Sequence, residues 1–140
     1  MFIKLIQLTK GMDIKEVGIV GSGVMGCQIA ELFLKYGFNV TVYSRSDESI
    51  RKCLEKFKQK ELTGKLITTK DIGTLKDKDL IIESVKEDQN IKRQIFEKLD
   101  CVVGGNTIIA SNTSSIPIGI IAKNCKNKSN TIGLHFLNPA

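Results

Sequence analysis

The sequence predicts an α/β fold, a doubly wound parallel sheet, and three observations carry that prediction. Short apolar runs alternate with segments of helical periodicity along the chain, and continuously apolar strands belong in a parallel sheet covered on both faces. Directly after the first apolar run comes Gly21-Ser22-Gly23-Val24-Met25-Gly26, with Gly-x-Gly-x-x-Gly spacing, and a helical pattern follows at once. Two polar clusters, one around residues 111–115 and one holding the single histidine, His135, follow later strands. They fall at the carboxyl edge, where open α/β sheets bind their ligands.

The elements follow in order. The first strand is read over residues 16–20 and the first helix over 25–36, where Ile29, Ala30, Phe33 and Leu34 make an apolar stripe. Gly37 stops that helix as its C′ residue. The second strand covers 39–43, with Val40 and Val42 alternating. A helix over 47–60 follows, with Ser46 as N-cap and Ile50, Leu54 and Phe57 on one face. Gly64 breaks the pattern, a weak third strand covers 66–68, and 71–78 is a short connection. The fourth strand is 80–84, and a helix over 90–99 follows, with Ile91, Ile95, Phe96 and Leu99 turned inward. The fifth strand is 107–110. Ser115 is the expected cap of a helix with Pro117 in its first turn, running to about residue 124. The sixth strand is 131–136. Residues 12–140 thus form one Rossmann-type domain, and residues 1–11 read as an N-terminal extension with no signal-peptide pattern.

Each glycine of the turn has a physical task. Gly21 permits the sharp exit from the strand, Gly23 lets the backbone approach a pyrophosphate, and Gly26 lets the helix pack close. With Val24 and Met25 they form the expected cofactor-binding turn, the pyrophosphate resting on the helix N-terminus.

A length of 140 residues suits one domain, and 41% hydrophobic with 26% charged residues is an ordinary globular composition. The net charge of +6 suits an anionic ligand such as a dinucleotide or an acyl-CoA. The lysines are scattered and no aromatic–basic run occurs, which argues against nucleic acid, and no apolar run is long enough to cross a membrane. Cys27, Cys53, Cys101 and Cys125 are widely spaced and contain no Cys-x-x-Cys pair, so no metal site is expected. Free thiols in a reducing cytoplasm are the simple reading.

At the end of the second strand, where a carboxylate usually holds the adenosine ribose of NAD, the chain has Ser44 and Arg45. A hydroxyl and a guanidinium suit a 2′-phosphate, and such a charge-assisted bond is worth about 1.5–3 kcal/mol, roughly 10- to 100-fold in affinity. This reading favours NADP(H). The alternative leaves Arg45 in solvent or stacked on adenine, with Asp47 serving the ribose.

Four segments in order, Gly21-x-Gly23-x-Met25-Gly26, Leu80-Ile81-Ile82-Glu83-Ser84, Ser111-Asn112-Thr113-Ser114-Ser115 and Gly133-Leu134-His135-Phe136-Leu137-Asn138-Pro139, resemble the N-terminal domain of the 3-hydroxyacyl-CoA dehydrogenases, above all the bacterial 3-hydroxybutyryl-CoA members. The likeness runs from about residue 12 to 140. It implies an NAD(H)-dependent oxidoreductase transferring a hydride between nicotinamide and C3 of a 3-hydroxyacyl-CoA, and a homo-oligomeric full-length protein. His135 matches the family's general base, a task suited to a side chain that titrates near neutrality. Ser114 matches the serine that bonds the substrate oxygen, and Asn112 and Glu83 match positions near the nicotinamide and its ribose.

The chain also departs from the family pattern. It stops at Ala140, before the family's histidine-orienting glutamate and helical C-terminal domain, so little turnover is expected from this chain alone. The stretch over residues 56–78 is shorter than the family's, where a helical projection helps to hold coenzyme A. Two other readings use the same residues: a non-catalytic dinucleotide-binding module or partner of a separate C-terminal chain, and a different β-hydroxyacid dehydrogenase.

Overall fold

Val17, Ile19, Ile81 and Ile82 leave no polar side for water on the central strands, so helices must cover both faces. The computed structural model, which describes residues 13–140, has that architecture. The first half comprises β1 (Glu16–Val20), α1 (Val24–Lys35), β2 (Asn39–Tyr43), α2 (Asp47–Phe57) and β3 (Leu66–Thr69). The second comprises β4 (Leu80–Glu83), α3 (Gln89–Val102), β5 (Ile108–Ser111), α4 (Ile118–Ile121) and β6 (Thr131–Gly133). One six-stranded sheet runs in the order β3-β2-β1-β4-β5-β6 with every pair parallel. The order reverses between β1 and β4, and their carboxyl ends open a crevice there. The extension predicted over residues 1–11 lies outside the described residues.

The sheet separates two cores. Ile29, Ala30, Phe33 and Leu34 of α1 pack on Val17, Ile19, Val40, Val42 and Ile82. Phe96 and Leu99 of α3 and Ile121 of α4 pack on Val20, Ile81 and Ile109 from the other side. α1 ends in a Schellman motif: Gly37 has φ 84°, its N–H donates to Leu34 O, and Phe38 N–H donates to Phe33 O. The motif's hydrophobic contact is the edge-to-face pair Phe33–Phe38, with ring centroids 5.2 Å apart.

Several sequence expectations are corrected. The buried residues of α2 are Cys53 and Phe57, with Ile50 and Leu54 only half-buried, and the helix stops at Phe57. Ile91 and Ile95 are likewise half-buried, because α3 turns Lys92 toward the sheet instead; that lysine is 1% exposed. The last helix is a single turn: Ser115 does not cap it, since the Ser115 hydroxyl donates to Glu87, and Pro117 holds the cap position. β6 ends at Gly133 after one more ladder bond, Leu134 N–H to Ser111 O at 2.9 Å, which leaves His135 in the segment beyond.

The cysteines are also corrected. Cys27 of α1 and Cys53 of α2 form a disulfide, with Cα atoms 5.7 Å apart, while Cys101 and Cys125 are free. Their separation of 26 residues hides the pairing in the sequence; the two helices meet because both cover the same sheet face. On a chain-entropy basis, closing a loop of that length contributes about 3–4 kcal/mol. Burial pushes the free Cys125 thiol up to about 11, which keeps it protonated.

Lys92 supplies a test of the packing. Its ammonium lies 2.8 Å from Glu83 Oε1, and both side chains are buried. Removing one partner strands a buried charge, at roughly 3–5 kcal/mol. Lys92→Met should lower the stability measured by urea denaturation by that order, and Lys92→Met with Glu83→Gln should recover much of the loss.

Candidate functional site: a crevice at the reversal of the sheet

The glycine turn sits at the mouth of the crevice. Gly21 has φ 110°, and a Cβ there would lie 2.5 Å from Ser84 O. A Cβ on Gly26 would lie 2.0 Å from Gly21 O, so α1 leaves the strand in contact with the turn. Gly23 differs: its φ is −70°, and a Cβ there would meet nothing within 4 Å. The fold itself therefore demands glycine at 21 and 26 but not at 23, where open space faces the turn.

The N-terminus of α1 is arranged unlike those of the other long helices. Ser46 caps α2, with Asp47 and Glu48 in the first turn, and Asp88 caps α3 through two backbone amides. α1 has Gly23 as N-cap, no side-chain cap bond and no acidic residue in its first turn. Its free amides and positive dipole end face the crevice without an internal anion. Ser22 Oγ, inside the turn, is buried with no partner among the described residues. An open cradle, an uncapped helix end and an orphaned hydroxyl fit a bound pyrophosphate.

Across the crevice lies a cleft of about 520 Å³ that brings together Gly23, Val24, Met25, Asn112, Ser114 and His135, with Ser84, Val85 and Lys86 on its wall. The turn, the serine cluster and the histidine, more than 100 residues apart at the extremes, thus share one cavity. The Ser114 hydroxyl has no partner among the described residues, and His135 is exposed. Asn112 is a brace as well as a wall. Its Oδ1 accepts from Phe136 N–H at 2.7 Å and its Nδ2 donates to Ser84 Oγ at 3.2 Å, which ties the His135 segment to the end of β4.

Glu83 does not face this cleft with a free carboxylate. Its Oε1 accepts from Lys92 Nζ and from Val85 N–H at 2.7 Å, and its Oε2 accepts from Ser111 Oγ at 2.6 Å and again from Lys92. It anchors the end of β4, which is a different task from the ribose contact expected of it. Ser44 and Arg45 lie outside the cleft, past the end of β2. Ser44 Oγ accepts from Ser46 N–H at 3.3 Å, Arg45 is exposed with no ion-pair or hydrogen-bond partner among the described residues, and Asp47 is paired with Lys70 at 2.8 Å. No group of three or more His, Cys, Asp or Glu side chains among the described residues could hold a metal ion.

Sequence reasoning missed Glu87. Its carboxylate accepts from the Ser114 and Ser115 amides and from the Thr113 and Ser115 hydroxyls, and it meets Lys92 at 3.2 Å. Glu87 therefore holds the backbone of the serine cluster and leaves the Ser114 hydroxyl free. The only signal in the sequence is an acid four residues after Glu83, which by itself names no partner.

A glycine turn under an uncapped helix, at the point where a parallel sheet reverses its order, is the arrangement of a dinucleotide-binding domain. Residues 16–140 match the family described as the 3-hydroxyacyl-CoA dehydrogenase NAD binding domain, and the chain belongs to that family. It is 36% identical to a 3-hydroxybutyryl-CoA dehydrogenase of Clostridioides difficile, over 89% of this chain and 50% of that protein. A 3-hydroxybutyryl-CoA dehydrogenase of Mycobacterium tuberculosis is 38% identical over 90% of this chain and 50% of its own length. The crystal structure of 3-hydroxybutyryl-CoA dehydrogenase from Escherichia coli K12 superposes with a TM-score of 0.85 at 33% identity, covering 92% of this chain and 31% of that one. The chain spans about half the length of the curated 3-hydroxybutyryl-CoA dehydrogenases it matches.

Burial raises the Glu87 carboxyl, but the Thr113 hydrogen bond and the Lys92 ammonium outweigh it and lower the group to about 2. A depressed carboxyl stabilises the fold above its unfolded value near 4.5 and loses that contribution as pH falls toward 2. Acid titration followed by amide exchange of the serine cluster should therefore show the loop loosening in that window. In Glu87→Gln the cluster should be looser at neutral pH and show less acid dependence.

Proposed function

We propose that this chain holds the cofactor of an oxidoreductase that transfers a hydride between a nicotinamide dinucleotide and a 3-hydroxyacyl-CoA/3-oxoacyl-CoA pair. The observation that carries the reading is the contrast within the turn: of Gly21, Gly23 and Gly26, Gly23 alone leaves the space beyond the backbone open. The pyrophosphate would rest there, against the amides that open α1, with the Ser22 hydroxyl as a further donor. The nicotinamide end would extend into the cleft toward Asn112, Ser114 and His135.

When bound, the cofactor supplies the hydride acceptor and donor. The chain's own residues handle the oxygen at C3. Ser114 offers an uncommitted hydroxyl to that oxygen, and Glu87 fixes the backbone that carries it. A ring nitrogen of His135 takes the hydroxyl proton as the alcohol is oxidised and returns it in the reverse direction. Asn112 sets where that imidazole stands, by gripping the next residue's amide. The relatives' names, 3-hydroxybutyryl-CoA dehydrogenases, support an acyl-CoA substrate.

At the adenosine end the reading favours NADP(H). Asp47, the carboxylate that would otherwise serve a ribose, is engaged by Lys70, whereas Arg45 stands uncommitted beside the Ser44 hydroxyl. The family's description names NAD, which makes the preference a direct experimental question.

Titration with NADH and NADPH, followed by nicotinamide fluorescence, tests both levels. The chain should bind NADPH more tightly, and Ser44→Asp with Arg45→Ile should reverse the order; if that double variant keeps the same preference, the 2′-phosphate site is wrong. Gly23→Ala should melt like the parent yet bind dinucleotide about tenfold or more weakly, ~1.4 kcal/mol. A Gly23→Ala protein that binds normally would remove the cradle from the argument.

A further inference from the structure

We propose that Cys27 and Cys53 form a reversible thiol–disulfide switch that sets how tightly the glycine turn and the Ser44–Arg45 loop hold a dinucleotide. The inference rests on the cofactor site proposed above and adds a means of controlling it.

The placement of the two sulfurs carries it. Cys27 follows Gly26 directly, and its amide donates to Gly23 O at 3.0 Å, so it belongs to the first turn of the helix that would bear the pyrophosphate. No slack separates that helix from the turn, because Gly26 is packed against Gly21 O. Cys53 lies on α2, whose Ser46 cap is bonded through its amide to Ser44 Oγ. The bridge thus joins the pyrophosphate half of the site to the helix that carries the adenosine half. Apart from the bridge, α2 is held by Phe57, its only other fully buried side chain, by the half-buried Ile50 and Leu54, and by the exposed Asp47–Lys70 ion pair; the Glu48–Lys52 and Arg51–Glu55 pairs lie within the helix itself. With the bond closed, the loop is pre-organised for its ligand; with the bond open, α2 and the loop lose their covalent tether to α1.

The chemistry balances with a low-molecular-weight thiol–disulfide couple. A dithiol gives two electrons and two protons: the S–S bond breaks, two S–H groups form, and the reductant leaves as its own disulfide. In reverse, a disulfide such as oxidised glutathione accepts both hydrogens and leaves as two thiols. Both sulfurs belong to residues only 2% exposed, so exchange requires α2 to lift from α1.

The experiment is a titration of the wild-type chain with NADPH and with NADH, before and after dithiothreitol, with thiols counted by alkylation and intact mass. Denatured, unreduced protein should alkylate at the two free cysteines, Cys101 and Cys125, and reduced protein at all four. Reduction should weaken dinucleotide binding about tenfold, a coupling of ordinary size, and oxidised glutathione should restore it. The double variant Cys27→Ser with Cys53→Ser should bind at the weak value and ignore dithiothreitol, with far-UV circular dichroism unchanged. Four reactive thiols without reductant, or equal affinity in both states, overturns the switch alone. Absence of binding of both NADPH and NADH in both states overturns the cofactor site and the switch together.

Discussion

Lys92 reaches from α3 back to the end of β4, where its ammonium meets Glu83 and Glu87, and the inner wall of the cleft is assembled on those two carboxylates. Glu83 passes the interaction to Val85 and, through Ser111, to β5. Glu87 passes it to the amides and hydroxyls of the serine cluster. A buried ion pair is costly unless the remaining lone pairs and protons are satisfied, and here each Glu83 oxygen has a further donor besides the lysine. The lysine serves as the shared centre of a polar network, in which loss of one member leaves several others unpaired.

The site divides at β1. On the β4 side the residues are hydroxyls, amides, one imidazole and the Lys86 ammonium, with the nearby acids absorbed by Lys92. On the β2 side an uncommitted guanidinium stands in solvent, and between the two lies a helix N-terminus without a carboxylate. An elongated anionic ligand, as the proposed dinucleotide is, would meet free backbone amides at its middle and a cation toward each end. The overall charge of +6 adds a weak long-range attraction that salt screens.

Much of this was legible in the sequence because local and global signals agree. The bounds of β1 and β2, the stripe of α1, the Ser46 cap and the Gly37 stop rest on short-range patterns that tertiary packing left in place. The gathering of Gly23, Ser114 and His135 at one edge followed from the topology of the strands. Other features depend on partners distant in sequence. Lys92 reads as a surface residue of an amphipathic helix until Glu83 and Glu87 are placed beneath it. Cys27 and Cys53 look like isolated thiols until two helices share a sheet face. Ser115 reads as a helix cap because nothing local reveals that Glu87 takes its hydroxyl. The role of Glu83 followed from resemblance, and its side chain is committed inside the protein.

The placement of β1 has a kinetic consequence. Its second neighbour, β4, arrives late: the Asp79 carboxylate that receives the Lys15 and Glu16 amides lies 64 and 63 residues further along the chain. Until that contact closes, the β3-β2-β1 half has an unpaired inner edge of apolar backbone, the surface on which nascent chains associate wrongly. Loop-closure entropy must be met before such distant pairings are rewarded, and that slows folding. The crevice between β1 and β4 is therefore also the seam at which the two halves of the domain join, so the chain completes its ligand site and one of its most distant strand pairings at the same place.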